Sequence, residues 1–173
     1  RLNRAISKPY QPGSIVKPLM LCGAMTDGSY RWDQRVECTG HFLPNDPTIL
    51  RCWIYKQFNG ATHSGQLGRD LDGADALMVS CNIFFFEMGK RLGPAGLVKW
   101  YEKFGVGPAS RYWDLATFAD SNMGGSDGVS VGDENERSPW QLGGAGGPTA
   151  SDAIQMAIGQ GPIVWTPMHA ADA

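Results

Sequence analysis

The chain has 173 residues, enough to bury a full core and ordinarily one domain. Fifteen basic residues against seventeen acidic ones leave a net charge of −2, and no basic stripe points to nucleic acid. Apolar content is 42%, ordinary for a globular protein, and no apolar run approaches the roughly 18 residues a membrane span requires.

In chain order, residues 1–13 read as a short polar lead-in, with a strand ending at the Pro12-Gly13 turn. Both ends read as cut. Arg1-Leu2-Asn3-Arg4 lacks a start methionine and shows no secretory signal, and the last residues lie inside a helix opening at Thr166-Pro167. The chain is therefore expected to be an internal piece of a larger protein, whose flanks hold a membrane anchor or further catalytic residues.

Tyr10-Gln11-Pro12-Gly13-Ser14-Ile15-Val16-Lys17-Pro18 leads into a helix predicted from Ser14 to Met25 and ending near Asp27-Gly28. That helix is apolar nearly all round and is expected to be buried, with Cys22 in the core. Ser14 and Lys17 are three residues apart on one helix face, with Cβ atoms roughly 5–6 Å apart. Burial disfavours an ammonium and so favours the neutral amine, the form a general base needs. The competing reading is a capping serine and a lysine that snorkels to the surface.

Residues 29–68 are irregular, with Pro44, Pro47 and several glycines, and Ile49–Tyr55 reads as strand-like. A helix from about Asp70 to Val79 follows, its acidic residues Asp70, Asp72 and Asp75 suiting a helix N-terminus. Ser80-Cys81-Asn82 interrupts before a strongly apolar helix that Gly93-Pro94 ends. Pro94 opens the next helix, with Leu97, Val98, Tyr101 and Phe104 as its core face and Gly105 as its stop. Trp100 belongs to that core, whereas Glu87, Lys90 and Arg91 read as a solvated face. Residues 120–148 read as a long surface loop. Thr149 or Ser151 caps a helix through Ile158, which Gly159 and Gly161 end.

S-x-x-K at 14–17 followed by S-x-N at 80–82 is two thirds of the set found in penicillin-binding proteins and β-lactamases. With Asn3-Arg4-Ala5, Ser80-Cys81-Asn82-Ile83-Phe84-Phe85-Phe86, Ala157-Ile158-Gly159-Gln160-Gly161 and Thr166-Pro167-Met168 in order along nearly the whole chain, the sequence resembles the transpeptidase domain of a class B penicillin-binding protein of the elongation type. The resemblance implies an α/β (α+β) penicillin-binding transpeptidase/β-lactamase-like fold. Residues 1–173 would be a partial domain, mainly its helical lobe.

By the same resemblance Ser14 is the acylated nucleophile and Lys17 the base that activates it. Ser80 relays a proton to the leaving group, and Asn82 binds the substrate peptide. The implied reaction is D,D-transpeptidation of peptidoglycan stem peptides through an acyl-serine, inhibited by β-lactams and needing no catalytic cofactor. The implied place is the outer, periplasmic face of the bacterial cytoplasmic membrane, among partners of a wall-synthesis complex. The alternatives are a D,D-carboxypeptidase, a serine β-lactamase, or a non-catalytic sensor or scaffold in that complex. The family's third motif, Lys-Thr/Ser-Gly on an edge strand, is absent from these 173 residues. It is expected downstream, with most of the sheet, so that this stretch alone holds half a site.

Cys38, Cys52, His63 and Cys81 lack paired C-x-x-C spacing, yet three thiolates and an imidazole complete a tetrahedral structural set. Some elongation-type relatives carry a structural zinc at positions these four resemble. Zinc would pin the irregular segment to the Ser80-Cys81-Asn82 turn. The rival is a Cys38–Cys52 disulfide, and His41 is an alternative ligand to His63. Of these, zinc on Cys38, Cys52, His63 and Cys81 is the expectation.

Overall fold

The structure is a computed structural model and describes residues 10–106, 148–165 and 167–172. A 3₁₀ turn at Gly13–Val16 runs into α1 (Lys17–Thr26). Three short helices follow, α2 (Trp53–Gln57), α3 (His63–Leu67) and α4 (Gly73–Met78). The long α5 (Asn82–Lys103), α6 (Ala150–Met156) and α7 (Pro167–Asp172) complete the described elements. Extended pairing among the described residues is limited to isolated antiparallel bridges, Tyr10 with Trp165, Val36 with Leu71 and His41 with Arg51.

α5 is the element the others pack on, α6 most extensively and α1 next. Its first turns carry Ile83, Phe84, Phe85, Phe86 and Met88, all buried, because neighbouring elements cover most of its circumference and leave only the Glu87, Lys90 and Arg91 stripe toward solvent. Each such side chain contributes about 1.5–3 kcal/mol by leaving water. The close seat of α6 depends on Gly89, where a Cβ would meet the Ala153 carbonyl oxygen at 2.6 Å and the Ala157 Cβ at 2.7 Å. Gly93-Pro94 breaks α5 as predicted, with Gly93 at φ 65° and ψ 178°, since proline cannot donate to the helical ladder.

The predicted first helix is present, but its character differs. Val16, Lys17, Met20, Leu21 and Ala24 are buried, whereas Ile15, Pro18, Cys22 and Met25 form an exposed stripe at helical spacing. Cys22 is therefore not a core residue. An all-apolar sequence does not itself choose a face, and α5 covers one side of α1. The strand-like reading of Ile49–Tyr55 also fails. Arg51 makes one bridge, and α2 begins at Trp53.

Local caps account for the other boundaries. α4 starts at Gly73, not Asp70, because Asp72 accepts from the Asp75 N–H (2.9 Å) while the Asp75 carboxylate accepts from the Asp72 N–H. Asp75 is itself buried and paired with Arg69 and Arg35. Thr149 and Asp152 form the matching capping box of α6. Trp100 and Tyr101 are buried as expected, and Glu87 pairs with Arg91 at 2.9 Å on the outer face. The predicted loop at 120–148 lies outside the described residues but for Pro148, as do residues 1–9 and Thr166.

Candidate active site

Ser14 lies in the 3₁₀ turn before α1, and two glycines set its position. Gly13 donates its N–H to the Gly159 carbonyl at 2.9 Å. Gly159 has φ +70°, and a Cβ there would stand 2.2 Å from the Gly13 carbonyl oxygen. The Gly159-Gln160-Gly161 segment can thus lie directly against the Ser14 turn. The opening N–H groups of that turn have no acceptor within it.

Lys17 occupies the first position of α1 and is 2% exposed, so it does not snorkel. Its ammonium donates to the Ser80 carbonyl oxygen (2.8 Å), Ser80 Oγ (3.0 Å) and Asn82 Oδ1 (2.8 Å). It also lies 5.5 Å from the centre of the Phe85 ring. Burial pushes its pKa from 10.5 down to about 8, against the opposing pull of the nearby Cys81 and Cys52 side chains. Three acceptors hold the charged form in place, yet an accessible proton loss yields the neutral amine.

Ser80 stands between Lys17 and Ser14, its Oγ bonded to Ser14 Oγ at 3.2 Å. Its φ of +50° is a left-handed conformation for a residue with a Cβ, an outlier of the kind that accompanies functional positioning. Asn82, the first residue of α5, accepts from Lys17 and donates from Nδ2 to the Arg51 carbonyl at 3.3 Å. Ser14, Lys17, Ser80 and Asn82 thus meet, and the path from Ser14 to Lys17 runs through Ser80. A cleft of about 580 Å³ opens over them, lined by Gly13, Ser14, Trp53, Ser80, Asn82, Ile158 and Gln160. Trp53, Ile158 and Gln160 escaped the sequence reading as lining residues. Adjacency to Cys52 and the Gly159-Gln160-Gly161 segment were the only signals.

The four predicted metal-binding residues also meet. Cys38, Cys52, His63 and Cys81 are buried, and their donor atoms all lie within 4.8 Å of one another. His63 Nδ1 is 3.6 Å from Cys38 Sγ and 3.4 Å from Cys52 Sγ, and Cys52 Sγ is 3.9 Å from Cys81 Sγ. A tetrahedron with ordinary zinc–sulfur and zinc–nitrogen bonds has edges of about 3.8 Å between sulfurs and about 3.6 Å between nitrogen and sulfur. The donor set therefore fits such an ion, and all three thiols are free. His63 Nε2 is buried without a hydrogen-bond partner, so the ring's polar contacts among the described residues are those of Nδ1 with the sulfurs, and Trp53 packs edge-on against it at 5.4 Å. Hydrogen bonds from Cys38, then Cys81, hold the Cys52 thiol far below its usual range, and sharing with Cys38 and Cys52 pushes Cys81 up. His41 is elsewhere, its Nδ1 3.0 Å from the Leu43 carbonyl.

The description of the penicillin binding protein transpeptidase domain matches residues 1–173. The chain belongs to that family. This transpeptidase-domain chain is 27% identical over 174 residues to the peptidoglycan D,D-transpeptidase MrdA of Acinetobacter baumannii, covering 98% of the chain and 22% of MrdA. Its fold is similar to that of Pseudomonas aeruginosa PBP2 in complex with WCK 5153 (TM-score 0.65, 21% identity, 99% of this chain and 34% of that one). It is also similar to penicillin-binding protein A of M. tuberculosis in its penicillin G acyl-enzyme complex (TM-score 0.64, 23% identity, 98% and 32%). A third likeness is to Helicobacter pylori PBP2 in its complex with MreC (TM-score 0.62, 17% identity, 98% and 28%). The chain spans about a fifth of the curated relative and about a third of these solved chains. The described helices thus belong to the helical part of a penicillin-binding transpeptidase fold.

Proposed function

We propose that the chain forms part of a larger serine D,D-transpeptidase that cross-links peptidoglycan stem peptides. The observation that carries this reading is a buried Lys17 bonded to Ser80, whose hydroxyl in turn bonds Ser14 at the cleft. In the neutral-lysine state the chain of bonds reverses: Ser14 O–H donates to Ser80, and Ser80 O–H to Lys17. Ser14 Oγ attacks the carbonyl carbon of the D-Ala-D-Ala bond while its proton passes through Ser80 to Lys17. The proton returns by the same path to the departing D-Ala amine, leaving an ester on Ser14. A neighbouring stem's amine then displaces Ser14, which recovers its proton. The Ser14 N–H serves the developing oxyanion, and the Asn82 Nδ2 group anchors the peptide. A Lys-Thr/Ser-Gly strand elsewhere in the whole protein supplies the remaining contacts.

Cys38, Cys52, His63 and Cys81 hold a structural zinc in this reading. Its chemistry is to fix the thiolates and not to react. Because Cys81 lies between Ser80 and Asn82, an ion held by these four residues would tie the Ser80-Cys81-Asn82 turn to the 38–63 segment. The protein works on the outer face of the cytoplasmic membrane, with partners in a wall-synthesis complex, as H. pylori PBP2 has in MreC.

The test is mass spectrometry of the full-length protein after benzylpenicillin. One adduct on the Ser14 peptide, absent from Ser14→Ala, is the expected result. No adduct on a folded protein would overturn the catalytic reading in favour of a scaffold. Release of D-Ala without cross-linking from a synthetic stem peptide would move it to a carboxypeptidase, and rapid adduct hydrolysis to a β-lactamase.

A further inference from the structure

Beside Ser14, Ser80 and Asn82, the cleft has one further hydroxyl or amide side chain, that of Gln160. The residue is exposed, and among the described residues its amide makes a single long bond, Nε2–H to the Gly159 carbonyl at 3.3 Å. That carbonyl already accepts the Gly13 N–H at 2.9 Å. The Gln160 amide therefore keeps both donor and acceptor capacity for a ligand.

An exposed glutamine is ordinary, but the backbone that carries this one is fixed. Its own N–H donates to the Gln155 carbonyl at 3.1 Å. Gly159 and Gly161 on either side take positive φ, +70° and +73°. Both of their carbonyls are held from the segment that leads into the Ser14 turn. Gly13 N–H bonds the first, and Gln11 Nε2–H bonds the second at 2.9 Å. Of these ties only that of Gln11 is made by a side chain, and Gln11 is exposed and outside the cleft lining. A substitution there can remove the tie alone.

A side-chain amide matches a peptide unit, donor to acceptor and acceptor to donor, and one held in advance loses little freedom on binding. Asn82 belongs to the bonded group of Ser14, Lys17 and Ser80, whereas Gln160 makes no bond to that group and meets the peptide farther from the reacting carbonyl. We propose that Gln11 is a positioning residue that holds Gln160 at the cleft, where the Gln160 amide hydrogen-bonds a backbone amide of the acyl donor beyond the one nearest the scissile bond. This deepens the acyl-serine reading and rests on it. The ligand class is a peptide donor with at least two amides upstream of the bond that Ser14 attacks.

The experiment gives the full-length protein two donors, a synthetic stem pentapeptide ending in D-Ala-D-Ala and a thioester of N-acetyl-D-alanine, which has only the nearest amide. Loss of one neutral hydrogen bond weakens binding by about two- to tenfold. Gln160→Ala is therefore expected to raise KM for the pentapeptide about three- to tenfold with a smaller change in kcat, and KM for the thioester less than about twofold. Gln11→Glu keeps the shape but loses the donor, and should raise the pentapeptide KM about two- to fivefold. Added to Gln160→Ala it should change KM by less than about twofold, because Gln11 acts through Gln160. Equal rises for both donors, or none for the pentapeptide, would overturn the role of Gln160. A Gln11→Glu effect that persists in full beside Gln160→Ala would make Gln11 merely structural. Should Gln11→Glu not fold, Gln11→Ala carries the same comparison. Absence of a benzylpenicillin adduct on the unmodified protein would sink the acyl-serine reading, and this one with it. A preserved adduct with an unchanged pentapeptide KM in Gln160→Ala would sink only the roles of Gln160 and Gln11.

Discussion

Ser80 holds the two halves of the proposed chemistry together from a backbone conformation that side chains rarely adopt. Its hydroxyl is the bridge between Ser14 and Lys17, so Ser80→Ala should cut benzylpenicillin acylation by at least about a hundredfold. The same variant should keep its metal content and its thermal midpoint within a few degrees, as measured by elemental analysis and calorimetry. Lys17 sets the pH dependence. With a pKa of about 8, its neutral form rises about tenfold from pH 7 to a plateau near pH 9, and the acylation rate should follow. A flat profile over that range would remove Lys17 as the base. Stability shifts in the same direction. The folded pKa lies below the unfolded value of 10.5, so the unfolded chain holds the proton more tightly. The penalty for burying the cation, of order 3 kcal/mol, is then full below pH 8 and relieved between about pH 8 and 10.5. The burial of Lys17 was legible in the apolar run around it. Its partners Ser80 and Asn82 were legible only through the S-x-N motif and the family resemblance, because spacing reports shared faces only within one helix, and they arrive from another element. Cys22 shows the opposite failure: a run apolar all round cannot say which stripe is left uncovered.

Among the elements, the Gly159-Gln160-Gly161 segment is seated against the Gly13-Ser14 turn through the Gly13 N–H bond to the Gly159 carbonyl. Gly159→Ala adds a Cβ where the Gly13 carbonyl already stands, and at a positive φ. The expected cost is about 1–3 kcal/mol in denaturant unfolding, together with slowed acylation as the Ser14 turn is displaced. Gly89→Ala tests the contact of α5 with α6. It should destabilise by a similar amount but leave the acylation rate of the folded fraction intact. Equal loss of rate in both variants would mean that the two contacts are not separable. The break at Gly93-Pro94 was readable in advance, and so was a cap at Thr149 or Ser151, of which Thr149 is the one used, whereas the start of α4, boxed at Asp72, was placed early at about Asp70. The Ile49–Tyr55 stretch was not readable in this way. Helices of five residues, such as α2 and α3, complete too few turns for a period to show.

For the molecule as a whole, the four-residue cluster ties residues 38–63 to the turn that carries Ser80 and Asn82. Those connections contain little regular structure, so an ion held there would contribute directly to folding. Purified full-length protein is expected to carry about one zinc per chain, and chelation should lower both the thermal midpoint and the acylation rate. Metal-free protein with unchanged midpoint and rate would show that the thiols pack without an ion. The donors could be counted in the sequence, but only folding shows that they converge. Irregular spacing carries no information about which distant loops meet, and His63 displaces His41 because α3 turns its ring into the cluster. The match of family segments in order along the chain said more about the fold than any local period did.

Tyr10 and Trp165 exchange both backbone hydrogen bonds, each at 2.8 Å, so two residues far apart in sequence are clasped side by side. The described helices between them form a cassette closed at that clasp. Such a unit tolerates change within it as long as the clasp is kept. Its internal length can also drift while the junction, and the cleft beside it, keep their place.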